Sequence, residues 1–386
     1  VAVETLLEHG RTALFRGLNP GAGGPDHCDI GRMSVDMNLG PIDCYKAYLN
    51  YERSRHYRKT IFTDEDWINF RSSGRLFHNL KTMVVSGLLR GLFLELAAVF
   101  AVALATFAVN ALLKQGSLAA AYGVTGLSLP VLPFQLSSPA LGLLLVFRTN
   151  TAYGRWDTCR KQWESMQNHC LSLARMGISY LAREEREQHV RRIVAAVYAI
   201  KWHFRSIDAE NDDILRKKLT ELLGKTEATR IVRSRRPGIQ ALSDLTRVVR
   251  RSKTIDGSTR ARFELHLDEI TKAFITCEGL KKVPVPLSYS TLTSRFLALW
   301  IFLLPLALVR ELKGSLVMVP VAILVAIFFF GIEELGVQIE EPFSILPLEN
   351  YVDVIEEDTK QMLKFDREGY YVDNDPLVGL DASPIL

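Results

Sequence analysis

Leu96–Leu113 reads LAAVFAVALATFAVNALL, 18 residues without a charge, and Lys114 follows at once. A helix rises about 1.5 Å per residue, so a hydrocarbon core of about 30 Å asks for roughly 20 such residues. Three further stretches have the same character. Val131–Phe147 holds 17 uncharged residues interrupted by Pro133 and Pro139, Leu287–Val309 holds 23 residues with Arg295 as the single charge, and Leu316–Ile332 (LVMVPVAILVAIFFFGI) holds 17 without any. A buried helical hairpin of a soluble protein is the alternative, and prolines and hydroxyls make the second and third stretches less uniform than the other two. Length and lack of charge favour the bilayer, and the pattern predicts four membrane-spanning helices.

The rest of the chain does not resemble those stretches. Of 386 residues, 48% are hydrophobic and 23% charged, with a mean hydropathy of +0.09. That mixture means apolar and polar segments are separated along the sequence, and it excludes general disorder, collagen and small disulfide scaffolds. Five cysteines (Cys28, Cys44, Cys159, Cys170, Cys277) show no CxxC and no recurring spacing, so neither a zinc site nor a disulfide framework is expected. The sequence opens on Val1, which fits prior removal of a targeting segment.

Charge placement tests the four spans independently. They put both termini and the long middle on one side and leave the other side Lys114 and the Arg310–Lys313 turn, 3 of the 47 Lys and Arg. The positive-inside rule then sets the bulk of the chain on the cytoplasm-equivalent face. Residues 148–285 carry 28 Lys/Arg against 17 Asp/Glu, and residues 333–386 reverse this with 3 against 14. Ile193–Val197–Ile200–Phe204 and Phe263–Leu267–Ile270–Phe274 repeat at helical spacing. Asp208–Asp213 and Arg233–Gly238 read as turns. The expected organisation is an N-terminal segment (1–59) of amphipathic or unsettled character, a pre-membrane segment (60–83), and spans one and two (84–147). A basic helical region (148–285), spans three and four (286–332) and an acidic helix and tail (333–386) follow.

The second span carries the most information. In PFQLSSPALGLLLVFRTN (133–150), Ser137, Ser138 and Pro139 are good helix-start residues, and a helix beginning there would aim its positive end into the membrane, where an anion is favoured. Pro139, Leu143 and Phe147 then recur every four residues on one face, with Arg148 and Asn150 just beyond. An ordinary packed span kinked by proline fits these residues too. The basic middle reads either as a solvated helix surface or as a vestibule that concentrates anions; nucleic acid is a poor fit to a membrane-bound chain. No Ser/His/Asp or Cys/His set has local support, so the chain does not read as an enzyme. Asp208, Glu210, Asp212 and Asp213 lack the glycine and distal glutamate of an EF-hand. Glu333, Glu334, Glu340 and Glu341 suit an exposed helix face or a cation or proton site.

Three motifs then carry a resemblance. Phe147-Arg-Thr-Asn-Thr-Ala-Tyr-Gly-Arg155-Trp156, Val283-Pro-Val-Pro-Leu-Ser-Tyr289 and Glu333-Glu-Leu-Gly-Val-Gln-Ile-Glu340-Glu341-Pro-Phe343 occur in this order. Together they resemble the bestrophin anion channels, in the plant and algal thylakoid branch, over residues 60–360. The resemblance implies an all-α membrane protein with four transmembrane helices and a helical stromal layer, assembled as a homopentamer around one pore lined by the second span. It places an apolar neck at Pro139, Leu143 and Phe147, with Ser137, Ser138, Arg148 and Asn150 as anion-binding groups. Where animal members have a calcium clasp after the Pro-Phe pair, this chain has Ser344-Ile-Leu-Pro-Leu-Glu349 with one carboxylate. Calcium needs several hard oxygens, so no cofactor is expected, and voltage or another signal is the expected control. The expected ligands are chloride and bicarbonate, with membrane lipid and further copies of the chain as partners, in a thylakoid membrane. A proton-coupled anion transporter and a non-conducting scaffold that binds lipid or protein through its basic helices are the competing readings.

Overall fold

The computed structural model describes residues 61–72, 74, 77, 91–115, 126–205 and 210–368, so the N-terminal segment and Asp208 lie outside the described residues. Within them every regular element is helical: α1 (Asp64–Arg71), α2 (Phe93–Gln115), α3 (Leu132–Tyr180), α4 (Arg183–Arg205), α5 (Glu210–Leu223), α6 (Lys225–Val232), α7 (Pro237–Arg251), α8 (Gly257–Lys282), α9 (Leu287–Glu311), α10 (Met318–Glu340), a short 3-10 turn at Pro342–Ser344, and α11 (Leu348–Arg367).

These helices bury two separate cores. Val99, Ala103, Leu141, Leu145, Leu297, Ile301, Met318, Ala322 and Ala326 make one, among α2, α9, α10 and the first part of α3. Its alanines let neighbouring backbones approach closely, which is how helices pack where lipid offers no hydrophobic drive. The second core lies among α3, α4, α8 and α11 and centres on Trp163, Phe204, Phe263, Phe274 and Phe343. Both periodic sets read from the sequence, Ile193–Val197–Ile200–Phe204 and Phe263–Leu267–Ile270–Phe274, lie inside it. Among the described helices α3 alone reaches both cores, contributing Leu141 and Leu145 to one and Cys159, Trp163, Met166 and Cys170 to the other.

The structure corrects the sequence reading at the start of α3, and three of the four expected spans stand out by length and composition. Phe93–Leu113, Leu287–Glu311 and Met318–Glu340 are long and apolar enough to cross a membrane, and Val131–Phe147 is not among them. Gln135, Ser137, Ser138 and two prolines dilute its apolar character. No break separates it from the polar region at 147/148, because α3 runs 49 residues without interruption. Nor does the helix begin at Ser137–Pro139. It begins at Leu132 with Pro133 in its first turn, where a missing N–H costs nothing. Pro139 sits inside it, where the absent N–H and ring clash cost about 3 kcal/mol unless packing compensates.

The approach to α3 is fixed from the side. Buried Asn110 on α2 uses both ends of its amide on Leu127: Oδ1 accepts from the Leu127 N–H at 2.9 Å and Nδ2 donates to the Leu127 carbonyl at 3.0 Å. Leu129 N–H donates to the Leu306 carbonyl of α9 at 3.0 Å. A Cβ on Gly126 would stand 2.9 Å from Asn110 Oδ1, so this close approach requires glycine. Just beyond Leu306, α9 turns into α10 through Lys313 and Gly314, both at positive φ.

Candidate functional site

One face of α3 is left uncovered. Leu132, Leu136, Pro139, Leu143, Phe147 and Asn150 are exposed, Leu143 at 55% and Phe147 at 54%, while Leu141, Leu145, Arg148 and Ala152 are buried. With about 100° per residue the two sets occupy nearly opposite faces of the helix. The predicted Pro139–Leu143–Phe147 stripe therefore exists as a continuous surface that no other part of the described chain covers. Its register follows from the buried side: Leu141 and Leu145 are drawn into the membrane-side core, and the stripe faces the other way.

The polar residues expected beside the stripe divide. Asn150 is exposed on the same side. Ser138 is half-buried within the helix. Ser137 is turned toward α9: its Oγ donates to the Pro133 carbonyl at 2.7 Å and accepts from Trp300 Nε1 at 3.1 Å, with the Trp300 ring edge-on to Phe134. Neither serine lies at a helix N-terminus, so the expected dipole-end anion site at Ser137 and Ser138 is not formed. Arg148 is also elsewhere than expected. Its side chain is buried, and Nη1 donates to Glu333 Oε1 at 2.6 Å and to Ser294 Oγ at 2.9 Å. Ser294 Oγ closes the triangle by donating to the same Glu333 oxygen at 2.6 Å. A buried guanidinium is held by a carboxylate because an unpaired one would be costly, so Arg148 is already committed and is not free to take an anion.

The three sequence motifs meet behind the stripe. Tyr289 O–H donates to the Leu144 carbonyl at 3.0 Å. Glu340 Oε1 accepts from the Val285 N–H at 3.0 Å. The Arg155 guanidinium spreads over three carbonyls, those of Leu280 (2.6 Å), Val283 (2.9 Å) and Glu340 (3.2 Å), and so closes the end of α8 and the end of α10 against α3. Gly336 of α10 lies against Arg148 and Thr149, where a Cβ would stand at ordinary contact distance, 3.6 Å from Arg148 Cγ. The motifs thus describe one junction, and the three glutamates of α10 and Glu341 just after it each hold a partner within the chain. Glu333 pairs with Arg148, Glu334 accepts from Gln338 at 2.8 Å, Glu340 holds Val285, and Glu341 caps the 3-10 turn through the Ser344 N–H at 3.1 Å. Sequence reading missed Ser294 and gave no role to Tyr289 or to the acceptors of Arg155. The available signal was an arginine and a glutamate each closing an apolar stretch.

Past that turn, the Ser344–Glu349 stretch folds around a side chain from α4. Arg205 donates to both carboxylate oxygens of Glu349 (Nε at 3.0 Å, Nη2 at 2.7 Å), to the Leu346 carbonyl at 2.8 Å and to the Phe343 carbonyl. Burial works to raise the Glu349 pKa, and the hydrogen bonds and charge of Arg205 outweigh it, leaving the carboxyl below its ordinary value. The one carboxylate of this loop is occupied by a guanidinium that belongs to the chain.

A family model described as "Bacterial/Fungal Bestrophin protein" matches residues 66–361, the same stretch that contains α3 and all three motifs. The chain belongs to the bestrophin family. Among bestrophin relatives, the Arabidopsis thaliana protein named voltage-dependent chloride channel 2, chloroplastic, is 31% identical over 341 residues, covering 84% of this chain and 80% of its own length. Voltage-dependent chloride channel 1, chloroplastic, of the same plant is 29% identical, with 89% and 83% covered. A voltage-dependent anion channel-forming protein of Nostoc sp. is 30% identical over 59% of this chain and 75% of its own. A crystal structure of a bacterial bestrophin homologue from Klebsiella pneumoniae superposes with a TM-score of 0.61 at 23% identity, over 71% of this chain and 99% of that one, and shows the bestrophin fold. The family expectation drawn from the motifs is therefore met.

Proposed function

We propose that this bestrophin is an anion-selective channel that conducts chloride, bicarbonate or both passively. In this reading five copies enclose a central pore, and Pro139, Leu143 and Phe147 of each α3 form its apolar neck. The observation that carries the reading is the uncovered stripe: apolar side chains exposed along one face of a helix whose opposite face is locked into the membrane-side core. A short apolar constriction gates by dewetting and passes weakly hydrated anions most readily. The only fixed charge adjoining the neck residues on α3, Arg148, is neutralised by Glu333 and turned away. An anion meets no trapping counter-charge there, and conduction requires that weakness. Asn150 continues the stripe as a polar mouth, and the basic region 148–285 supplies long-range attraction.

In the same reading α3 crosses the bilayer with α2, α9 and α10, the low hydropathy of its first part being what a water-facing helix needs. The names of the plant relatives point to a chloroplast, and we place the channel in the thylakoid membrane with the second core on the stromal side. Purified protein in planar bilayers under an anion gradient tests this. A reversal potential that follows the anion gradient, and that changes in relative permeability when Leu143→Ala or Phe147→Ala is introduced, is the expected result. Stoichiometric proton coupling would instead identify a transporter, and silence a scaffold.

A further inference from the structure

We propose that Tyr289 and the Arg148–Glu333–Ser294 triangle are positioning residues that set the rotation of α3 about its own axis, and through it the neck width that discriminates between anions. The proposal rests on the pore reading above. Each tie adjoins a neck residue in sequence. Tyr289 O–H bonds the carbonyl of Leu144, next to Leu143, and Arg148, next to Phe147, is tied to Ser294 and Glu333. Arg148 lies on the face nearly opposite the stripe, so its tether resists rotation of the neck side chains in either direction. About 20° of rotation swings a side-chain tip ~6 Å from the helix axis by about 2 Å, which is more than the difference in diameter between small anions.

The anchors are themselves held. Tyr289 lies in the first turn of α9, directly after Pro284 and Pro286, and the height of that turn is fixed by Glu340 Oε1 on the Val285 N–H. Glu333 sits on α10, which packs against both α3 and α9. The Leu144 carbonyl accepts the tyrosine proton in addition to its helical bond, since a carbonyl oxygen has two lone pairs. The tie therefore adds to α3 without interrupting it.

The test measures relative iodide and chloride permeability from bi-ionic reversal potentials in planar bilayers, for the wild-type chain and for Tyr289→Phe, Ser294→Ala and Leu143→Ala. Size and melting of the solubilised assembly are followed alongside. Tyr289→Phe removes one hydroxyl and keeps the ring. The expected result is a shift of about threefold or more in the permeability ratio with an assembly of unchanged size. A general loss of stability without a change in the ratio is what a merely structural role would give, and it overturns the proposal. If Leu143→Ala shifts the ratio while Tyr289→Phe and Ser294→Ala leave it at the wild-type value, the positioning role falls and the neck stands. If Leu143→Ala leaves the ratio unchanged as well, the neck reading fails and takes this inference with it. Should Tyr289→Phe not assemble, Ser294→Ala reports through the other tie: a shifted ratio supports the positioning role, and a wild-type ratio overturns it.

Discussion

Breaking the Arg148–Glu333 pair one side at a time is expected to cost more than removing both sides together. The Arg148 side chain is 7% exposed and Glu333 17%, with 2.6 Å between Nη1 and Oε1. In Arg148→Met the carboxylate of Glu333 keeps only the Ser294 hydroxyl, and in Glu333→Gln the guanidinium keeps the same hydroxyl and a neutral amide. Removing one partner of a buried pair costs about 3–5 kcal/mol, because the other charge stays behind without compensation. The double variant leaves neither charge, so its cost falls well below the sum, with a coupling of about 3 kcal/mol at the upper end of what contacting residues show. The assay is thermal loss of the solubilised assembly, followed by size-exclusion after heating and ranked by apparent melting temperature, since unfolding of such assemblies is governed by rate. Both single variants should melt well below wild type and the double variant above at least one of them. If the losses simply add, the two groups do not interact energetically, and the description of this junction as an ion pair is wrong.

The second core and its surroundings give four further expectations. A Cβ on Gly177 would meet His189 Cδ2 at 2.2 Å, so Gly177→Ala should destabilise by about 1–3 kcal/mol through overpacking, read as a lower melting temperature. His189 is wholly buried and its Nε2 N–H donates to the Leu173 carbonyl at 3.1 Å; burial lowers its pKa from 6.5 to about 4. Because the folded value is depressed, the unfolded chain binds this proton first, and stability is lost as pH falls from about 6.5 to about 4, roughly 2 kcal/mol of it by pH 5. His189→Gln should show a shallower melting-versus-pH slope in that window, and an identical slope would refute the assignment. Arg205→Ala should destabilise by several kcal/mol, with Arg205→Lys restoring little because its ammonium cannot reproduce the fork on Glu349, whereas chelating calcium should leave wild-type currents intact.

How much of this was legible in the sequence depended on whether one helix or several had to be known. The apolar runs of α2, α9 and α10 announce themselves, because lipid demands length and lack of charge from each helix by itself. The periodic faces of α4 and α8 were legible for the same local reason. The start of α3 was misread since Ser-Ser-Pro is a valid helix opening in isolation. What decides against it is upstream: Pro133 also suits a first turn, and Asn110 and Leu306 hold residues 127–129 in place to begin the helix at Leu132. Tertiary contacts overrode a sound local signal.

The candidate site shows the same division. The stripe Pro139–Leu143–Phe147 follows from spacing alone and is found exposed. The roles of Arg148, Ser137, Glu333 and Glu340 do not, because they depend on partners 39 to 185 positions away in the chain. Charge type was readable and pairing was not. The consequence bears on mechanism: a sequence reader counts Arg148 as a positive charge offered to an anion, while the structure spends it on Glu333. In a pore built as proposed, that difference separates a binding site from a passage. An exposed guanidinium repeated around the neck would hold anions strongly and slow their exit. The same residue folded back onto a carboxylate contributes rigidity at the narrowest point, and leaves attraction to the distant basic surface, where its strength falls off within a Debye length of about 8–10 Å.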